Sequence, residues 1–187
     1  MDDTSSIDTR KQLLDTTERL IYAGGINATG MDLIVKSSGV ARKTIYRYFR
    51  TKDELVAEAL RMRDERWMRW FIDGSNRAAT PSGRLLETFV LLEEWFFTPD
   101  FRGCAFINAA GEIGDLAHPI RAVATQHKVN LRNYLQLLAE DYGVDHPLEL
   151  AEEFLILIDG AITVALVMGD RDAARKAQQL ARKLLRL

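Results

Sequence analysis

Between Lys36 and Lys52 the chain carries Lys36, Arg42, Lys43, Arg47, Arg50 and Lys52 with no aspartate or glutamate among them, although its net charge is only −2. A basic patch so confined, on a slightly acidic protein, fits a polyanion met at one place and not a general coating of nucleic acid. Arg42, Lys43 and Arg47 are long donors of the kind that reach guanine O6 and N7. Thr44, Tyr46 and Tyr48 lie among them, and Thr29 and Lys52 stand at or near the edges of the window. All five are of types that hold phosphate oxygens. Tyr46 and Tyr48 read equally well as core aromatics with a surface hydroxyl, and Lys36 and Arg50 read as solvated face.

These groups act together only if one element presents them. Ile45 and Phe49 are four apart and share a helical face, while Arg42 with Tyr46, and Lys43 with Arg47 and Arg50, recur three or four apart on the others. A helix from about Ala41 to Phe49 therefore docks by one side and turns a cationic stripe outward. Lys43 and Arg47 repel at i,i+4, which costs roughly 0.2 to 0.5 kcal/mol until an anion neutralises them. Gly39 supplies the preceding turn. A short helix from near Gly30 to Ser38 comes before it, opened by Thr29-x-x-Asp32, an order like a capping box with Asp in place of Glu. A first helix is expected from Asp8, as N-cap, to Ala23, with Leu13, Leu14, Thr17, Leu20 and Ile21 inward and Gly24-Gly25 at its end. Lengths and separation match a helix-turn-helix. Two ordinary bundle helices would need no such one-sided basic face.

Residues 29–60 resemble the DNA-binding domain of the TetR family of transcriptional regulators. The resemblance rests on Ile34, the Gly39-Val40 turn, the run Thr44-aliphatic-Tyr46-x-x-Phe49, and Lys52-x-x-Leu55 at the start of the next helix. It implies a DNA-binding regulator and places several of the phosphate-holding residues beside the DNA backbone. Gly30, Ala41 and Lys43 depart from residues frequent in the family, so no operator sequence carries over. Asp2, Asp3 and Asp8 argue against a basic minor-groove arm.

The rest of the chain is expected to be helical, since apolar positions recur at helical spacing and no turn joins two alternating segments. The reading is an all-α protein of about nine helices, with residues 1–54 as a three-helix DNA-binding domain and 55–187 as a larger helical regulatory domain. Lys52 to Gly74 reads as one connector helix, and Pro81 suits the first turn of the next. Trp67, Trp70, Phe71, Trp95, Phe106, Asn108, Glu112, His127 and Tyr134 combine aromatic walls with isolated polar groups, the composition of a small-molecule cavity. Ordinary core is the competing reading for each. The run RGCAFINAA also resembles a segment of some TetR regulatory domains. Helices from about Pro147 to Met168 and Arg171 to Leu187 are expected to pair two subunits through Phe154, Ile158, Ala161, Ile162, Ala165, Ala177, Leu180 and Leu184. The resemblance likewise implies a four-helix interface of a homodimer.

Other classes find less support. His118, His127, His146, Cys104, Glu112 and Asp115 form no H-E-x-x-H, no G-x-S-x-G and no zinc spacing, so neither catalysis, metal nor cofactor is expected. Glu112, Asp115 and His118 read as loop or cap residues beside Gly114 and Pro119. One cysteine, an acidic N-terminus and an apolar run interrupted by Asp159 fit a cytoplasmic protein away from membranes. The expected function is a repressor released from a palindromic operator by a small, largely apolar ligand. The alternatives are a TetR-like activator, or a helical ligand-binding or scaffold protein without sequence-specific DNA binding.

Overall fold

A computed structural model describes the backbone of residues 2–187 and the side chains from residue 7 onward. Among the described residues there are nine α-helices and no strand: α1 (Asp2–Gly24), α2 (Met31–Ser38), α3 (Arg42–Tyr48), α4 (Lys52–Ser75), α5 (Pro81–Phe96), α6 (Ala105–Glu112), α7 (Pro119–Tyr142), α8 (Pro147–Met168) and α9 (Ala173–Leu184). The all-α expectation holds. None of these helices is long and apolar enough to cross a membrane. Asp8 lies inside α1 and does not cap it, and the side chains of Asp2 and Asp3 fall outside the described residues.

Packing divides the chain into two compact units, Met1–Glu65 with Ala105–Gln126, and Arg66–Cys104 with His127–Leu187. In the first of these, α6 and the start of α7 pack with the N-terminal helices.

In the first unit Leu13 and Leu14 of α1, Ile34 of α2, Val40, Ile45 of α3, Phe49, and Leu55 and Ala59 of α4 form one buried cluster. Polar ties join its helices. Gln12 Nε2 donates to the Ser38 carbonyl at 2.8 Å, and Arg10 Nη2 meets Glu58 Oε1 at 2.6 Å. Arg63 pairs with Glu18 and lies 3.8 Å over the Tyr22 ring. Partial burial pushes the Glu58 carboxyl up, yet its bonds to Arg10 and Arg61 prevail and hold it below the usual glutamate range.

In the second unit α5, α8 and α9 pack on one another. Thr80 caps α5, accepting the Gly83 N–H at 3.1 Å with Pro81 in the first turn. Phe89 of α5 meets Phe154 of α8 with ring centroids 5.7 Å apart. This packing corrects the expected subunit interface. Phe154, Ile158, Ala161, Ile162, Ala165 and Ala177 are buried within one chain, so they are core and offer no surface to a second copy. Of the expected set only Leu180 and Leu184 stay exposed. The outward side of α8 carries Ile156, Val167 and Met168, 71%, 75% and 75% exposed.

Ile45 is the only residue of α3 that is buried, and α3 docks on the cluster through it. Ile45→Ala should lower unfolding stability by about 2 to 5 kcal/mol in a urea titration, the range for emptying a packed aliphatic site. The Glu58 contribution is present above the unfolded glutamate value and lost as pH falls through the lowered folded one. Glu58→Gln should therefore flatten the loss of stability on acidification below about pH 4.5, followed by circular dichroism.

Candidate nucleic-acid interface

The short helix α2 starts at Gly30, in extended conformation, without a side-chain cap. The anticipated capping box is not made: Thr29 Oγ1 donates to the Gly25 carbonyl at 2.7 Å, and Asp32 pairs with Arg42. Gly39 ends α2 at φ 68°, a left-handed turn that favours glycine, and its N–H returns to the Val35 carbonyl at 3.0 Å. Ser38 Oγ accepts the Val40 N–H at 3.2 Å, which holds the turn before α3.

With Ile45 facing the core, Arg42, Lys43, Tyr46 and Arg47 are exposed, and Thr44 and Tyr48 are half-buried. Tyr46 is 45% exposed, too open for a core aromatic. The Arg47 guanidinium lies 5.3 Å over the Tyr48 ring, a contact that limits where its donors point. Arg42 is engaged with Asp32, whose side chain is 97% exposed. A pair so solvated is worth little, so an incoming acceptor can take the arginine from it.

Two of the expected contacts turn inward. Thr29 is 2% exposed with its hydroxyl engaged as above. Lys52 Nζ donates to the carbonyls of Ile26 and Thr29 at 2.8 and 2.9 Å. Both residues hold the loop before α2, which spacing along the chain does not reveal. Sequence reasoning also missed Asp32 as the partner of Arg42, although an acid beginning one helix and a cation beginning the next was a usable signal.

The aromatic residues divide between the two units. In the second, Trp67 stacks on Phe71 at 4.8 Å and meets Trp70, Trp95 and His127 at 5.7, 6.1 and 5.1 Å. Tyr134 joins at 6.2 Å from Phe71, its hydroxyl bonded to Ser75, and burial pushes its phenol above the usual range. The Trp67 indole Nε1 is buried without a hydrogen-bond partner. Phe106, Asn108 and Glu112 instead sit on α6 in the first unit. Glu112 there accepts the backbone N–H groups of Ile26 and Asn27, each at 2.8 Å. Asp115 caps the Ala117 N–H at 2.9 Å, and His118 lies 3.3 Å from Asp53.

This arrangement of α1 to α4 is matched by known proteins. A profile described as bacterial regulatory proteins, tetR family, covers residues 13–59. The HTH-type transcriptional regulator YjdC of Escherichia coli is 24% identical over 180 residues, 95% of this chain and 93% of that protein. A TetR-family transcriptional regulator from Streptomyces coelicolor superposes with TM-score 0.87 at 27% identity, covering 96% of this chain and 95% of its own. Residues 13–59 thus carry a DNA-binding domain of the tetR family type. A second such structure, described as a putative TetR transcriptional regulator from Streptomyces avermitilis, gives 0.82 at 28% identity over 92% of this chain and 97% of that one. Like these relatives, the protein is a DNA-binding transcriptional regulator, and α3 is the second helix of its helix-turn-helix.

Among the exposed cations of that helix, Arg47 carries the clearest test. On a duplex selected by the wild-type protein from a random pool, Arg47→Ala should weaken binding by about 1 to 3 kcal/mol and relax preference at one base pair. Equal weakening on random duplex would assign Arg47 to phosphate alone.

Proposed function

We propose that the protein is a repressor that holds a palindromic operator as a homodimer and leaves it when a small, largely apolar ligand binds. In this reading Arg42, Lys43 and Arg47 read bases and Thr44, Tyr46 and Tyr48 hold phosphates. Residues 1–54 supply DNA binding and 55–187 regulation. The protein works in the cytoplasm.

The outward face of α8 carries the proposal. A helix that buries Phe154, Ile158 and Ile162 on one side yet leaves Ile156, Val167 and Met168 in water has a second apolar surface to cover. Gly160 and Thr163 lie between Ile156 and Val167 on that side and allow another helix close. Leu180, Leu184 and Leu187 add exposed apolar surface on and just after α9, which packs on α8. A two-fold pair built on this surface presents two recognition helices, and the operator then mirrors that symmetry with half-sites about one helical turn, or a multiple of it, apart.

The ligand reading draws on the Trp67 cluster, which offers apolar walls and a buried indole N–H in want of an acceptor. Trp67, Trp70 and Phe71 all stand on α4, the helix whose first residue is Lys52. A ligand that prefers a different setting of α4 moves the helix-turn-helix by the same covalent rod. Its leverage is the difference in its affinity for the two conformers.

The double variant Ile156→Arg, Val167→Arg should sediment as a monomer and lose tight binding to the selected duplex. A folded double variant that still dimerises would refute the proposed surface. At fixed salt, an apolar aromatic compound that quenches Trp67 fluorescence should weaken DNA binding by about 5- to 150-fold. Bound compounds that all leave the affinity unchanged would defeat ligand release.

A further inference from the structure

We propose that Glu112 on α6 is a positioning residue for DNA recognition, acting through the loop that leads into the helix-turn-helix. Residues 25–30, between α1 and α2, have few bonds of their own. Gly25 N–H reaches the Ile21 carbonyl at 2.9 Å, and Thr29 N–H reaches the Ile26 carbonyl at a long 3.3 Å. Thr29 Oγ1 donates to the Gly25 carbonyl at 2.7 Å, and further bonds come from outside the loop. Glu112 Oε1 accepts the Ile26 N–H and Oε2 the Asn27 N–H, while Lys52 Nζ donates to the Ile26 and Thr29 carbonyls. One carboxylate thus takes two of the loop's donors and one ammonium two of its acceptors.

Gly25 makes room for this clamp. Its φ is +90°, and a Cβ there would lie 3.0 Å from Glu112 Oε1. Because Gly30 caps α2 without a side chain, the loop itself fixes where α2 begins, and α2 fixes the turn into α3. The segment bearing Glu112 is held in turn. Arg121 Nη1 donates to the Ala110 carbonyl at 2.7 Å, and His118 contacts Asp53, the neighbour of Lys52. Bidentate charge-assisted bonds are strong but fall away over a few tenths of an ångström and a few tens of degrees. A small displacement of α6 therefore frees both loop donors together, and the reading head loses its orientation while its hydrophobic cluster stays intact.

The test uses the full chain and the duplex selected by the wild-type protein. Glu112→Ala should bind that duplex about tenfold or more weakly, with Glu112→Gln, which keeps one acceptor, in between. The ratio of selected to random duplex affinity should fall in both, and the Ile26 and Asn27 amides should exchange faster with solvent. Helical content should be unchanged. Should Glu112→Ala fail to fold, the isosteric Glu112→Gln carries the same measurements. Wild-type affinity in the folded variants, equal losses on selected and random duplex, or unaltered exchange at Ile26 and Asn27 would each overturn the assignment.

Discussion

A helix of seven residues is not stable in water by itself, so α3 exists because its neighbours hold it. Ile45 is its buried anchor, and Phe49 just beyond it closes the same cluster. Everything exposed on α3 is therefore free of packing duty. The cations can crowd together, at the cost of mutual repulsion, because the stability of the unit is supplied by Leu13, Leu14, Ile34 and Leu55 on longer helices. The exposed cations of α3 and its buried anchor are different residues, and Tyr48, half-buried against the cluster beneath the Arg47 guanidinium, is the side chain that touches both.

The same separation governs the second unit. There α8 is apolar nearly all round, and α5 with α9 covers one side of it. The side left open mixes Ile156, Val167 and Met168 with Glu152, Glu153 and Thr163, whereas α9 turns its alanines inward and its lysines and arginines to water. Apolar side chains of that size left in water favour a partner surface that covers them.

Helical periodicity made the elements legible: α8 has the bounds expected of it, and α2 and α3 fall within a residue of theirs. It could not say which side of α8 faces inward, because Phe154 and Ile156 are equally apolar and the positions of α5 and α9 decide between them. Nor could it assign Thr29 and Lys52, whose partners are carbonyl groups exposed by the path of an irregular loop. Glu112 was hidden for a further reason. Its partners lie 86 and 85 residues away, and a carboxylate that binds backbone N–H groups leaves no mark in the identity of the residues it holds. The aromatic cluster was read from composition alone, so residues of α6 were joined to residues of α4 and α7 that belong to the other unit.

Asp32 has a bearing on the charge that α3 presents. Arg42 already holds a carboxylate when no other anion is near, so the field at the start of the helix is weaker than a count of its cations suggests. Because Asp32 is open to water, the pair is easily exchanged, and an acceptor need offer Arg42 little more than Asp32 does to displace it. One exposed carboxylate thereby acts as a placeholder, keeping the arginine on the outer side of α3 until a better acceptor arrives.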